Sequence, residues 1–299
     1  MKRFITPSFL LLSLLYTFCL QGQDIHYSQF NWIPVLANPA LSGHLPDADM
    51  QYGILYRDQG FTVTPQSYSG FSAFADTKIA KGFRSRDYLG LGLTVLHDNA
   101  GTGALTTNGI SLNLAYHFPL SEKNTLSWGG QGSIFQRSYG DFAAFSFEEE
   151  LNGSTFSEAL QNDTRQYFDG HTGLVFTSSV EETYLLQVGG SIYHFNNRSA
   201  ITDLSSIDKF TLRYSTFATY NRSLNDRLDI EPRVQFQYTE RSRELLGQVV
   251  MGYLISEFYN TDVKLKFGGG LRWQDAWQVL LGLEYGNWEV GFAYDSNIS

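Results

Sequence analysis

The residues of this chain best placed to do chemistry are charged side chains that recur on the polar stripes of alternating segments. They are Arg57, Arg137, Arg213, Glu231, Arg233, Lys264, Lys266, Arg272, Glu284 and Glu289. Facing a narrow aqueous lumen, they could select a solute or contact a partner. They could equally neutralise one another inside a filled interior, and this is the plainer expectation, because small barrels pack their interiors with side chains. The six histidines, His26, His44, His97, His117, His171 and His194, are scattered. His117 and His171 fall on polar stripes, where a satisfied polar contact is a commoner role than metal ligation. The sequence holds no HExxH, Gly-rich phosphate loop, GxSxG or EF-hand loop. A lipase or protease would need a nucleophile and a base at one mouth, and neither Ser133 nor Ser191 is spaced from a histidine in a way that implies it. The expectation is a protein that is not an enzyme, with no cofactor and no metal.

Those stripes belong to β-strands. From Tyr88 to Leu120, Leu89, Leu91, Leu93 and Val95 share one face, opposite Gly90, Gly92, Thr94 and Asp98. After a Gly/Asn/Asp cluster, Ile110, Leu112, Leu114, Tyr116 and Phe118 share a face, opposite Gly109, Ser111, Asn113, Ala115 and His117. Period-two alternation on both sides of a turn signal predicts a hairpin. A continuous apolar face and a small-sided polar one suit lipid outside and a crowded, wet lumen inside. The pattern recurs along the chain, with Asp229, Glu231, Arg233, Gln235 and Gln237 opposite Leu228, Ile230, Val234, Phe236 and Tyr238. In the last hairpin, across Gly286-Asn287, Trp288, Val290, Phe292 and Tyr294 follow Trp277, Val279, Leu281, Leu283 and Tyr285. About thirteen such segments can be counted. Their length, about 9 to 12 residues, is what a tilted strand needs to cross a bilayer. Aromatics cap the apolar faces, and charges are almost absent from them, as a membrane barrel requires.

Composition agrees. Aromatics make up 15% and the chain has 28 glycines and 7 prolines, with a mean hydropathy of −0.21, so no helical bundle spans a membrane here. The start reads as a secretory signal over residues 1–22: Lys2 and Arg3, an apolar run Phe9–Leu20, then Gly22. The one cysteine, Cys19, lies inside it, so the mature chain would carry no disulfide and no thiol chemistry. A net charge of −9 argues against a nucleic-acid partner. Residues 23–48, with Pro34 and Pro39, read as an N-terminal periplasmic arm, and residues 49–299 as the barrel. With the arm on the periplasmic side, connections after even-numbered strands stay short to moderate. The long acidic stretch Tyr139–Arg165 follows an odd-numbered strand, which places it outside the cell. The basic link bearing Lys78, Lys81, Arg84 and Arg86 reads as a solvated turn, with contact to an acidic partner or lipid head groups as the sharper alternative.

Several segments carry a family resemblance. SQF is followed by NPA-x-x-G, which is Asn38, Pro39, Ala40 and Gly43 here; YRDQG, GLGLTVLHDNAGTGALTT, LNLAYHFPL, QRS and SIYHFNNRS follow in order. The chain resembles the PorP/SprF family of outer-membrane proteins associated with the type IX secretion and gliding machinery of Bacteroidetes. The resemblance implies an all-β transmembrane antiparallel barrel of about fourteen strands, an even number as bacterial barrels use. It implies a non-enzymatic component, set in outer-membrane lipid, that docks a secreted adhesin or a machinery subunit. The alternative is a general porin or solute transporter of the same architecture. The family continues past a YD-x-N-x-S segment into one more strand. Here YDSNIS, Tyr294–Ser299, is where the chain stops, so the sequence reads as truncated or split, or as closed by its own N-terminal arm.

Overall fold

A computed structural model of the chain describes residues 27–45, 48–60, 68–100, 105–138, 164–181, 184–196, 211–240, 242–258 and 261–298. The signal segment and nearly all of Tyr139–Arg165 lie outside the described residues. The described residues form one antiparallel sheet of 13 strands in sequence order. These are β1 Met50–Gln59, β2 Tyr68–Lys81, β3 Tyr88–Ala100, β4 Leu105–Pro119, β5 Asn124–Ser138, β6 Thr164–Glu181, β7 Tyr184–Tyr193, β8 Arg213–Asn225, β9 Leu228–Thr239, β10 Arg243–Phe258, β11 Thr261–Arg272, β12 Ala276–Tyr285 and β13 Trp288–Asn297. Each pairs with its sequence neighbour, and several of the ladders close through short described turns. In the last of these, Gly286 takes φ +56°, which a Cβ would disfavour.

The registers realise the alternation. On β4, Ile110, Leu112 and Leu114 are 60%, 55% and 52% exposed, while Ser111, Asn113, Ala115 and His117 are 4%, 0%, 1% and 0% exposed. The same inversion holds on β5, where Trp128 and Ile134 are exposed and Ser127, Gln131 and Ser133 are buried. A water-soluble sandwich would bury the Leu/Ile/aromatic stripes. Here they form the outer skin, and the polar stripes form the interior, which is stable only with hydrocarbon around it. Trp273, Trp277, Tyr285 and Trp288 stand exposed at strand ends, where an interfacial aromatic girdle sits. Leu112→Arg, at the middle of β4, should therefore cost about 2–4 kcal/mol of folding into bilayers. Denaturant titration of the refolded barrel in liposomes reads this directly, and a neutral result would mean that the stripe does not touch lipid.

Tyr52 of β1 meets Trp288 of β13 edge to face, with ring centroids 5.9 Å apart, so the sheet curls until its first and last strands face each other. The strongest sign of this curling is what the sheet surrounds. Residues 27–45 touch the inward faces of strands all round the sheet: Tyr27 hydrogen-bonds Ser72 on β2, Ser42 lies against Gly90 on β3, Pro39 and Ala40 against Gly129 on β5, Asn31 on Arg233 of β9, Ser28 on Gln248 of β10, and Trp32 against Gly291 of β13. One short segment can reach all of them only from within a barrel.

This corrects the reading of residues 23–48 as a periplasmic arm, and also the option that the arm closes the barrel as a strand. The described part of the arm is helical turns, Phe30–Trp32, Pro34–Ala37 and Pro39–Leu41, seated in the lumen. Pro34 and Pro39 occupy first-turn positions, where a missing N–H costs nothing, and would break a central strand. Its apolar residues find an interior there: Phe30, Ala37, Ala40 and Leu41 pack with Val175, Phe217 and Leu246, and Ile33 and Val35 with Phe74. The Gly43 end lies by Thr77 and the Tyr27 end by Ser72, positions roughly 17 Å apart along β2. The arm thus winds within the lumen, advancing over about five residues of β2 while touching walls all round.

Candidate functional site in the barrel lumen

The arm is held by a seat of small residues and by satisfied polar contacts. Asn38 is fully buried, and its amide donates to the Leu174 and Gly190 carbonyls at 3.2 and 3.0 Å while Oδ1 accepts the Ala40 N–H at 2.9 Å. That uses both N–H donors and the carbonyl oxygen of one side chain. Gly43, at φ +68°, donates its N–H to Asp76 Oδ2 at 2.7 Å. Gly90 and Gly129 let the two backbones approach: a Cβ on Gly90 would stand 1.9 Å from the Ser42 carbonyl oxygen, and one on Gly129 2.5 Å from Ala40 N and Pro39 C. The NPA-x-x-G residues are therefore the plug's anchor. The Tyr193 hydroxyl donates to the Leu36 and Ala37 carbonyls at 2.9 and 2.5 Å.

Two histidines join this seat. His117 contacts the Ser42 carbonyl through Nε2 at 2.8 Å and Ser127 Oγ through Nδ1 at 2.7 Å. The His117 and Ser127 side chains are fully buried, so Ser127 orients the ring whose other nitrogen holds the arm, and the pair faces no open space. His44 stacks on His117 at 5.5 Å, with Nδ1 3.2 Å from the Tyr88 hydroxyl. Burial, then the neighbouring His117 and Lys78, push His44 from 6.5 down to about 4. Its folded value lies below its unfolded one, so its neutral form stabilises the seated arm above about pH 6.5, and that contribution is lost as pH falls toward 4. The loss amounts to about 3 kcal/mol when complete. In gel-shift melting of the barrel, His44→Gln should narrow the gap between midpoints at pH 7 and pH 4.5; identical profiles for variant and wild type would contradict this.

The ten charged residues singled out above all lie on inward stripes, and most stand in compensated groups. Arg233 pairs bidentately with Glu231, Nε–Oε1 2.6 Å and Nη2–Oε2 2.8 Å, and its remaining nitrogen reaches Asn31 of the arm at 2.8 Å. That geometry offsets the cost of a guanidinium only 5% exposed. Lys266 bridges Glu284 at 2.6 Å and Glu289 at 2.8 Å, two carboxylates directly opposite on β12 and β13. Lys264 pairs with Asp229 at 3.1 Å. Arg272 meets Asp275 at 3.1 Å, Asp295 at 3.2 Å and Glu244 at 3.7 Å. Arg57 donates to Gln59 at 2.5 Å; Arg137 lies over Tyr167 at 6.0 Å and Arg213 over Tyr193 at 4.1 Å. The arrangement is a set of separate ion-paired clusters around a filled lumen. A cavity of about 150 Å³ remains between arm and wall, lined in part by Phe30, Pro34, Leu41, His44, Phe217 and Glu231.

Outside the lumen, the link after β2 carries Phe83, 98% exposed, on a turn braced by Asp87, which accepts from Arg84 Nε at 3.1 Å and from the Tyr116 hydroxyl at 2.7 Å. Arg86 stands 3.7 Å from Glu122. Sequence reasoning missed one cluster, Asp169, His171 and His194. Its signal was present: Asp169 and His171 are two apart on one strand, and His194 ends the strand that pairs with it.

The chain can now be set beside known proteins. A family model described as type IX secretion system membrane protein PorP/SprF matches residues 20–299. No curated protein matches the chain. Among solved structures, the chain is similar to BamA from Haemophilus ducreyi lacking POTRA domains 1–3, at 10% identity over 83% of this chain with a TM-score of 0.42; the chain spans 64% of that structure's length. It is similar to the translocator domain of the autotransporter NalP from Neisseria meningitidis, at 11% identity over 82% of this chain and 85% of that one, TM-score 0.39. It is also similar to the beta domain of the Bordetella autotransporter BrkA, at 11% identity over 83% and 99%, TM-score 0.37. The match over residues 20–299 takes in the plug anchor, all thirteen strands and the lumen clusters, and the chain belongs to the PorP/SprF family of type IX secretion system membrane proteins.

Proposed function

We propose that this protein is a non-enzymatic, non-conducting outer-membrane component of the type IX secretion apparatus, exported by residues 1–22 as a signal peptide, that docks a machinery subunit or a secreted adhesin. The observation that carries this reading is the lumen, filled in its middle by the chain's own arm. A solute pathway needs a continuous aqueous column, and buried Asn38, Ile33 and Val35 stand where it would run. Partner contact then falls to the rims, such as the braced turn bearing Phe83. In planar bilayers the purified protein should show no steady conductance. Deletion of its gene should abolish surface display of the secreted proteins. A steady open pore, or normal display without the gene, would favour a porin instead.

A further inference from the structure

We propose that Asp169, His171 and His194 form a binding site for one divalent transition-metal ion of the zinc class, at the rim of the lumen where β6 begins and β7 ends. Asp169 Oδ2, His171 Nε2 and His194 Nδ1 lie within 4.8 Å of one another, and all three residues are buried. Oδ2 is 2.8 Å from the first imidazole and 2.5 Å from the second. Two imidazoles and a carboxylate are the donor set that zinc and its neighbours take, with room for a further ligand.

The chain builds this convergence deliberately. Asp169 and His171 share the inward face of β6 because side chains alternate along a strand. His194 follows β7 with φ +61°, a left-handed backbone that a residue with a Cβ adopts only when its surroundings hold it there. The turn is held by Phe195 N–H to the Gly170 carbonyl at 3.1 Å, by Gly170 N–H to Asn196 Oδ1 at 3.0 Å and by the Asn196 amide to the Phe168 carbonyl at 2.9 Å. This bend turns the His194 ring onto Asp169.

Proton accounting points the same way. His171 Nδ1 lies 2.9 Å from Gln131 Oε1. A ring that donates Nδ1–H to a carbonyl is oriented as metal-bound imidazoles are. Its Nε2 is then a lone pair facing a carboxylate, two acceptors with nothing between them. A cation there joins them and ties β6 to the turn after β7. The Gln131 nitrogen is buried without a hydrogen bond. With the Gln131 amide reversed, its N–H would satisfy Nδ1, and Asp169 would accept two ring N–H bonds without an ion; this hydrogen-bonded triad is the alternative. Arg213 stacks on Tyr193, whose ring lies 4.9 Å from that of His171, so a positive charge stands near the site and opposes a cation there.

The test uses the full chain in detergent, stripped with chelator and titrated with Co²⁺, read by its visible d–d absorption and by displacement with Zn²⁺. One ion per chain is expected. Asp169→Asn and His194→Gly should abolish uptake, and the second variant relieves the backbone strain, so it removes a ligand without endangering the fold. Gln131→Ala should weaken binding about 10–100-fold. X-ray absorption on the zinc-loaded wild type should show nitrogen and oxygen neighbours at about 2.0–2.2 Å and no sulfur. No uptake by the wild type would leave the hydrogen-bonded triad as the answer. Uptake undiminished in both ligand variants would mean an adventitious ion only.

Discussion

Valine at both Gly90 and Gly129 should raise the steady conductance of the barrel well above that of the wild type. Each new Cβ would meet arm backbone and not a movable side chain: the Ser42 carbonyl at 1.9 Å in one case, Ala40 N and the Pro39 carbonyl at 2.5 Å in the other. No rotamer relieves either contact. Overpacking costs about 1–3 kcal/mol per site, and here it falls twice on one short segment. The strands themselves gain a good strand former on a face away from lipid, so the ladders should survive. The arm leaves its seat and the lumen fills with water. Single-channel recording reads the change, and new protease cleavage near Asn38 confirms the cause. A double variant that folds, is cut in the arm and stays silent would show that something other than the arm blocks the lumen.

Asn38→Asp should loosen the arm more than Asn38→Ala does, although it is the smaller change in shape. Alanine removes three hydrogen bonds from a fully buried position, about 2–4 kcal/mol at typical net values. Aspartate keeps the acceptor for the Ala40 N–H but replaces the two donors with an anionic oxygen aimed at the Leu174 and Gly190 carbonyls. A buried charge facing two acceptors is worse than a small void. Hydrogen exchange of the amides from Ala37 to Ser42 should rise in the order wild type, alanine, aspartate. Aspartate as protected as wild type would remove Asn38 from the anchor.

Much of this architecture can be read in the amino-acid order. The Leu/Gly alternation of residues 88–118 shows which face meets lipid, because the two environments differ and the strand period is two. The inward charges are legible for the same reason. Their grouping is less so: Lys266 with Glu284 and Glu289 follows from a three-strand register that a sequence does not state. The arm is the largest departure. Its residues have no period, and its contacts join positions as far apart as Ser28 and Gln248, so nothing local points inward. The small side chains facing the lumen fit a crowded interior, but only the fold shows that Gly90 and Gly129 are a seat cut to the Pro39–Ser42 backbone. The Asp169–His171–His194 group was hidden by the same kind of distance, since a strand partner and a left-handed residue bring its third member in.

Strand number and stagger set the mean girth of a barrel, but a tube of that girth can still be rounder or flatter. The segment bolted to β2, β6, β9 and β10 at once acts as a strut, fixing the distance between opposite walls. How round the cross-section is thereby depends on residues 27–45 as well as on the strands that enclose them.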